Sequence, residues 1–123
     1  KDGAAKAIEA LHQMGLQDWI TIHRKHDTEA VNLFADSSVN FLHLDGNHAE
    51  GIALRSSKMW TPKLAPGAVL VFDDVLWPSN KVALDWLRAH PQFTDLGEFD
   101  MLDEKGEMAG RYAVFKAICA PEP

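Results

Sequence analysis

The chain has 123 residues, 46% of them apolar and 24% charged, with a formal net charge of −6. That length holds one domain at most, with enough chain to bury a proper core. The negative charge argues against a nucleic-acid surface, which clustered Lys and Arg would lead, and no apolar stretch approaches the roughly 20 residues of a membrane helix.

Ala4–Met14 carries Ile8 and Leu11 at helical spacing, with Gly15 placed to end the helix. Trp19–His23 reads as a short strand rich in β-branched and aromatic residues. The only basic cluster, His23-Arg24-Lys25-His26, falls at its end. Asp27 or Thr28 can cap a second helix that buries Ala30, Val31, Leu33 and Phe34. Val39–Leu44 has the pattern of a strand buried on both faces, as parallel strands are.

Glu50–Leu64 is a helix that packs Ile52, Leu54, Met59 and Trp60 on the sheet, and Pro62 ends or kinks its last turn. Val69–Phe72 is the next buried strand. Asn80 caps a helix over Lys81–His90, with Val82, Leu84, Trp86 and Leu87 inward. Phe93–Phe99 and Gly110–Ile118, joined by a charged turn ending at Gly106, read as a β-hairpin. Residues 120–123 read as a disordered tail, so the domain spans 1–119. The order is α-β-α-β-α-β-α-β-β: an α/β fold whose parallel strands have helices on both faces and end in an antiparallel hairpin. A single cysteine, Cys119, rules out an internal disulfide. With no signal-peptide pattern at the start, it fits a reducing, cytoplasmic setting.

Two acidic clusters follow apolar strands. The first is Phe41-Leu42-His43-Leu44-Asp45-Gly46-Asn47-His48, and the second is Val69-Leu70-Val71-Phe72-Asp73-Asp74. In open α/β sheets, ligands bind in the crevice outside the carboxyl ends of the strands. If these strands are neighbours, Asp45, His48, Asp73 and Asp74 face one crevice, a pattern for a metal-assisted site. Each acid alone could cap a helix or turn; two on adjacent strands, one of them doubled, favour a site. His43, inside its strand, reads instead as a core histidine. Trp77 and Pro78 either border a pocket or pack, while Lys81 and Arg111 read as solvated surface.

Three segments carry a resemblance: Phe41–His48, Trp60–Gly67 and Val71–Trp77. Together they make the chain resemble the C-terminal two-thirds of a class I S-adenosylmethionine-dependent methyltransferase. The nearest groups are the metal-dependent catechol and caffeoyl-CoA O-methyltransferases and the macrolide- and aminocoumarin-sugar O-methyltransferases. The resemblance implies a Rossmann-like sheet, methyl transfer to a hydroxyl of a small sugar or phenol, and Mg2+ or a similar divalent cation. It places metal ligands on Asp45, Asp73 and Asp74, and the catalytic base on His48. It places cofactor contacts on His26 and Asp27, and on Asp45 at the end of its strand. No nucleic-acid or membrane partner is implied.

The family's Gly-rich cofactor loop is missing here, as are its first strand, first helix and second strand, a unit of about 30 residues or more. The expected strand order puts those strands between Trp19–His23 and Val39–Leu44. The chain is therefore expected to be a fragment, or to re-pair these two strands directly, or to borrow the gap from another chain; an uncovered edge also makes self-association a reading. Two rivals stay open. A non-catalytic methyltransferase-like interaction module would account for the missing loop. A P-loop ATPase would account for Val69–Asp74 but needs an upstream G-x-x-x-x-G-K-[ST] loop that is absent.

Overall fold

The computed structural model describes residues 3–47 and 49–118. Among the described residues four α-helices and four strands follow the chain: α1 (Gly3–Gln13), α2 (Asp27–Ala30), β1 (Val39–Leu44), α3 (Ile52–Trp60), β2 (Leu64–Phe72), α4 (Lys81–Ala89), β3 (Phe93–Leu102) and β4 (Met108–Ala117). Short 3-10 turns extend α2 and α3 and precede α4. The sheet order is β1-β2-β4-β3. β1 and β2 run parallel, and β4 pairs antiparallel with both β2 and β3. The expected parallel pair closed by a hairpin is therefore present.

The punctuation falls where the sequence puts it. Gly15 and Gly106 adopt positive φ at the end of α1 and in the hairpin turn, as a residue without a Cβ does freely. α3 stops at Trp60, and Pro62 lies in the 3-10 turn beyond it. Ser37 and Asp74 are the positive-φ non-glycine residues among those described.

Side-chain alternation across the ladder sets the core on one face of the sheet. Leu42, Leu70 and Phe115 stand in register, as do Leu44, Phe72 and Ala113. Ala83, Leu84 and Leu87 of α4 join that cluster, and Trp86 packs against it. α3 and α4 touch each other on this side.

The opposite face corrects the expectation of helices on both sides. α1 buries none of its residues, and Phe41 is 57% exposed. Among the described residues β1 is thus covered on one face only. A second correction concerns Trp19–His23, which forms no strand. Trp19 and Ile20 instead turn back to bond the Leu16 carbonyl, and Trp19 is 84% exposed. An extended segment becomes a strand only by pairing, and none of the described strands lies beside it; direct re-pairing with β1 does not occur. Cys119 and the tail 120–123 lie outside the described residues.

Candidate active site

The parallel register of β1 and β2 brings the two acidic clusters together. Leu44 stands opposite Phe72, and the Asp73 N–H donates to the Leu44 carbonyl at 3.0 Å. Asp45 and Asp73 therefore leave the sheet side by side at its carboxyl end. A cavity of about 290 Å³ opens there, lined among others by His43, Asp45, Asp73, Asp27, Ser56 and Trp60.

His43, Asp45 and Asp73 each place a potential ligand atom within 4.8 Å of the other two. His43 Nε2 lies 3.0 Å from Asp73 Oδ2. The Asp73 side chain is only 11% exposed, and a buried carboxylate needs partners. It has two: the Asp74 N–H donates to Oδ1 at 2.8 Å, and His43 faces Oδ2. Fixing Oδ1 in this way aims Oδ2 toward the cavity. The imidazole of His43 is half exposed, so the reading of His43 as a core histidine is corrected. Residues two apart along a strand share a face, and that spacing joins His43 to Asp45.

Asp74 does not join this cluster. Its φ of 57° is left-handed, and its carbonyl accepts from the Trp77 N–H and from Asn80 Nδ2 at 3.1 and 3.0 Å. The residue builds the turn that supports Asp73. His48, the expected base, lies outside the described residues.

Asp27, another lining residue, opens α2, but the cap is His26: its Nδ1 accepts from the Thr28 N–H. Asp27 Oδ2 accepts from Ser56 Oγ at 2.5 Å and Oδ1 from Arg55 Nη2 at 3.2 Å, tying α2 to α3. Burial pushes the Asp27 carboxyl up, yet Ser56, Arg55, His26 and the Thr28 amide together hold it below its ordinary value. Asp27 lines the cavity and His26 does not. Ser56 and Arg55 carried no signal in the sequence, because their role depends on how α2 meets α3. Trp60 lines the cavity and meets Phe34 edge-on at 5.4 Å between centroids, whereas Trp77 is about half exposed. Arg111, expected as solvated surface, pairs with Asp100 at 2.8 Å and with Glu98 at 3.7 Å.

The two carboxylates supply the hard oxygen donors that a divalent cation takes, so Asp45 and Asp73 fit such an ion.

A family model described as a methyltransferase domain matches residues 1–75, more than half of the chain. The chain belongs to that family. The matched span of this methyltransferase domain includes β1, α3, β2 and both acidic clusters. An uncharacterized protein of Sinorhizobium fredii (strain NBRC 101917 / NGR234), y4gI, is 43% identical over 51 residues, which cover 42% of this chain and 6% of that protein. The O-methyltransferase TomG of Streptomyces achromogenes, solved with S-adenosylmethionine, superposes with a TM-score of 0.75 at 13% identity, over 95% of this chain and 57% of its own. Cofactor-bound Rv0187 from MTB gives 0.78 at 14% identity, over 96% and 57%. The methyltransferase fold is thus shared, and the chain spans little more than half the length of these two structures. No helix among the described residues is long and apolar enough to cross a membrane.

Proposed function

We propose that the protein transfers a methyl group from S-adenosylmethionine to a hydroxyl of a small molecule, a sugar or a phenol, with the help of a divalent cation. The observation that carries this reading is the convergence of Asp45 and Asp73 at one cavity, in a chain of the methyltransferase-domain family. The structural likeness to TomG, an O-methyltransferase solved with S-adenosylmethionine, supports it. Asp45 and Asp73 would hold the cation. When bound, the cation would lower the pKa of an acceptor hydroxyl. His48, three residues after Asp45, is the proposed base. It takes the hydroxyl proton near neutral pH, and the freed oxygen bonds to the methyl carbon as the carbon–sulfur bond breaks. Asp27, which also lines the cavity, is proposed to orient the adenine end of the cofactor, while His26 acts through the α2 cap.

The test is transfer of labelled methyl from S-adenosylmethionine to a panel of catechols and sugars by the full-length protein, alongside calorimetric titration of the cofactor. Cofactor binding with transfer that Asp73→Asn abolishes is the expected result. No cofactor binding would refute the enzyme and leave a methyltransferase-like interaction module.

A further inference from the structure

The structure assigns His43 as a third ligand of the cation proposed for Asp45 and Asp73, which turns an oxygen-only site into a mixed nitrogen and oxygen site. The inference rests on the cation of the proposed function, but it changes which cation that is.

Three observations carry it. First, His43 is half exposed at the cavity rather than packed in the core, so its ring is free to meet a solvent-borne ion. Second, the spacing of two of the donors matches that of neighbouring ligands on one ion, and the third lies close by. Metal–nitrogen and metal–oxygen bonds of about 2.1 Å at right angles put neighbouring donors about 3.0 Å apart. His43 Nε2 and Asp73 Oδ2 are separated by 3.0 Å, and Asp45 completes a triad within 4.8 Å. Third, Asp73 is held from behind by the Asp74 amide at 2.8 Å, the kind of outer contact that orients a ligating carboxylate. The atoms that share a proton in the His43–Asp73 hydrogen bond can share a cation instead, with the ring proton carried on Nδ1.

The chemistry of this donor set is not that of magnesium. Carboxylates and water suit Mg2+, whereas imidazole suits zinc, iron, nickel and copper, and Mg2+ is bound through oxygen. A site of one imidazole and two carboxylates favours a first-row transition ion over Mg2+; Zn2+ is the ion that tests this preference, and Mn2+ serves as a paramagnetic reporter of the ligands.

Zn2+ binds most sites more tightly than Mg2+, so bare affinity does not decide the matter. The experiment titrates Mg2+, Mn2+ and Zn2+ by calorimetry into the full-length protein and into His43→Asn, and records pulsed electron paramagnetic resonance of the Mn2+-loaded forms. Expected is nitrogen hyperfine modulation on Mn2+ that vanishes in His43→Asn. With it goes a loss of Zn2+ affinity of about tenfold or more, while Mg2+ affinity stays within about twofold. A site that binds Mn2+ with no nitrogen signal, or a His43→Asn protein with unchanged Zn2+ affinity, overturns the inference and leaves the carboxylate cation site of the proposed function standing. Failure of all three ions to bind removes both the His43 ligand and the cation itself.

Discussion

Leu87→Ala tests whether α4 holds the sheet as described. Leu87 is 0% exposed and belongs to the cluster that contains Leu70, Phe72 and Phe115. The substitution removes three carbons, a transfer loss of about 2.4 kcal/mol at roughly 0.8 kcal/mol each. The cavity left behind adds to this, since buried Leu→Ala changes cost about 2–5 kcal/mol in all. We expect a loss of about 3 kcal/mol. With an unfolding entropy of about 2.1 cal/mol/K for each residue, the 123 residues give a fall in Tm of about 12 °C. The assay is urea unfolding followed by far-UV circular dichroism, with a thermal melt beside it. Val82, on the same helix but 61% exposed, is the control; Val82→Ala is expected to cost less than about 0.5 kcal/mol. If Leu87→Ala costs under about 1 kcal/mol, or no more than Val82→Ala, the packing of α4 on this face is wrong.

Asp27→Asn should destabilise the protein at neutral pH by about 1 kcal/mol, a charged hydrogen-bond loss discounted for partial exposure. The folded carboxyl sits below its ordinary value of 3.8, so its contribution is complete above the unfolded pKa and lost as pH falls through the folded one. Urea midpoints of the two proteins should converge in acid below that value; a gap that persists there would contradict the ion pair with Arg55. Gly67→Ala adds a Cβ into open space at φ +84°, so its cost is backbone strain alone, about 1–2 kcal/mol by chemical denaturation; an unchanged midpoint would show that the backbone relaxes. Asp74→Asn keeps the turn and should leave Mn2+ affinity within about twofold, whereas Asp45→Asn and Asp73→Asn lose about tenfold or more. A loss at Asp74 equal to that at Asp73 would restore it to the ligand set.

Much of this architecture was readable from local pattern. The apolar runs, Gly15, Pro62 and Gly106 mark element ends by backbone chemistry that holds in any context. The pairing of Asp45 with Asp73 was readable too, because parallel neighbours place the residues after them side by side. What escaped was whatever depends on a neighbour. Trp19–His23 has strand-forming residues but no strand to pair with, and β1 looks doubly buried although one of its faces is bare. His43 lay inside an apolar run, where alternation puts it on the face opposite Leu42 and Leu44, away from the core. Asp74 carries the same carboxyl group as Asp73, but its left-handed backbone and its carbonyl bonds place it in the turn.

The sheet order also sets how the cavity responds to fluctuation. Among the described residues β2 is paired on both sides, whereas β1 is an edge strand bonded only to β2. Edge elements with few buried contacts open at lower free energy than interior ones. Among the described residues His43 and Asp45 belong to an edge strand and its end, β3 being the edge on the other side, whereas Asp73 follows a strand paired on both sides. Peeling β1 away would disperse the three donors while the rest of the sheet stays folded. Any ligand that spans them then acts as a clasp, stabilising the closed strand by RT ln(1 + [L]/Kd). Amide exchange along Val39–Leu44 would slow with ligand concentration long before the exchange of β2 and β4 changed. Occupancy of the cavity and the local stability of β1 are thereby thermodynamically linked.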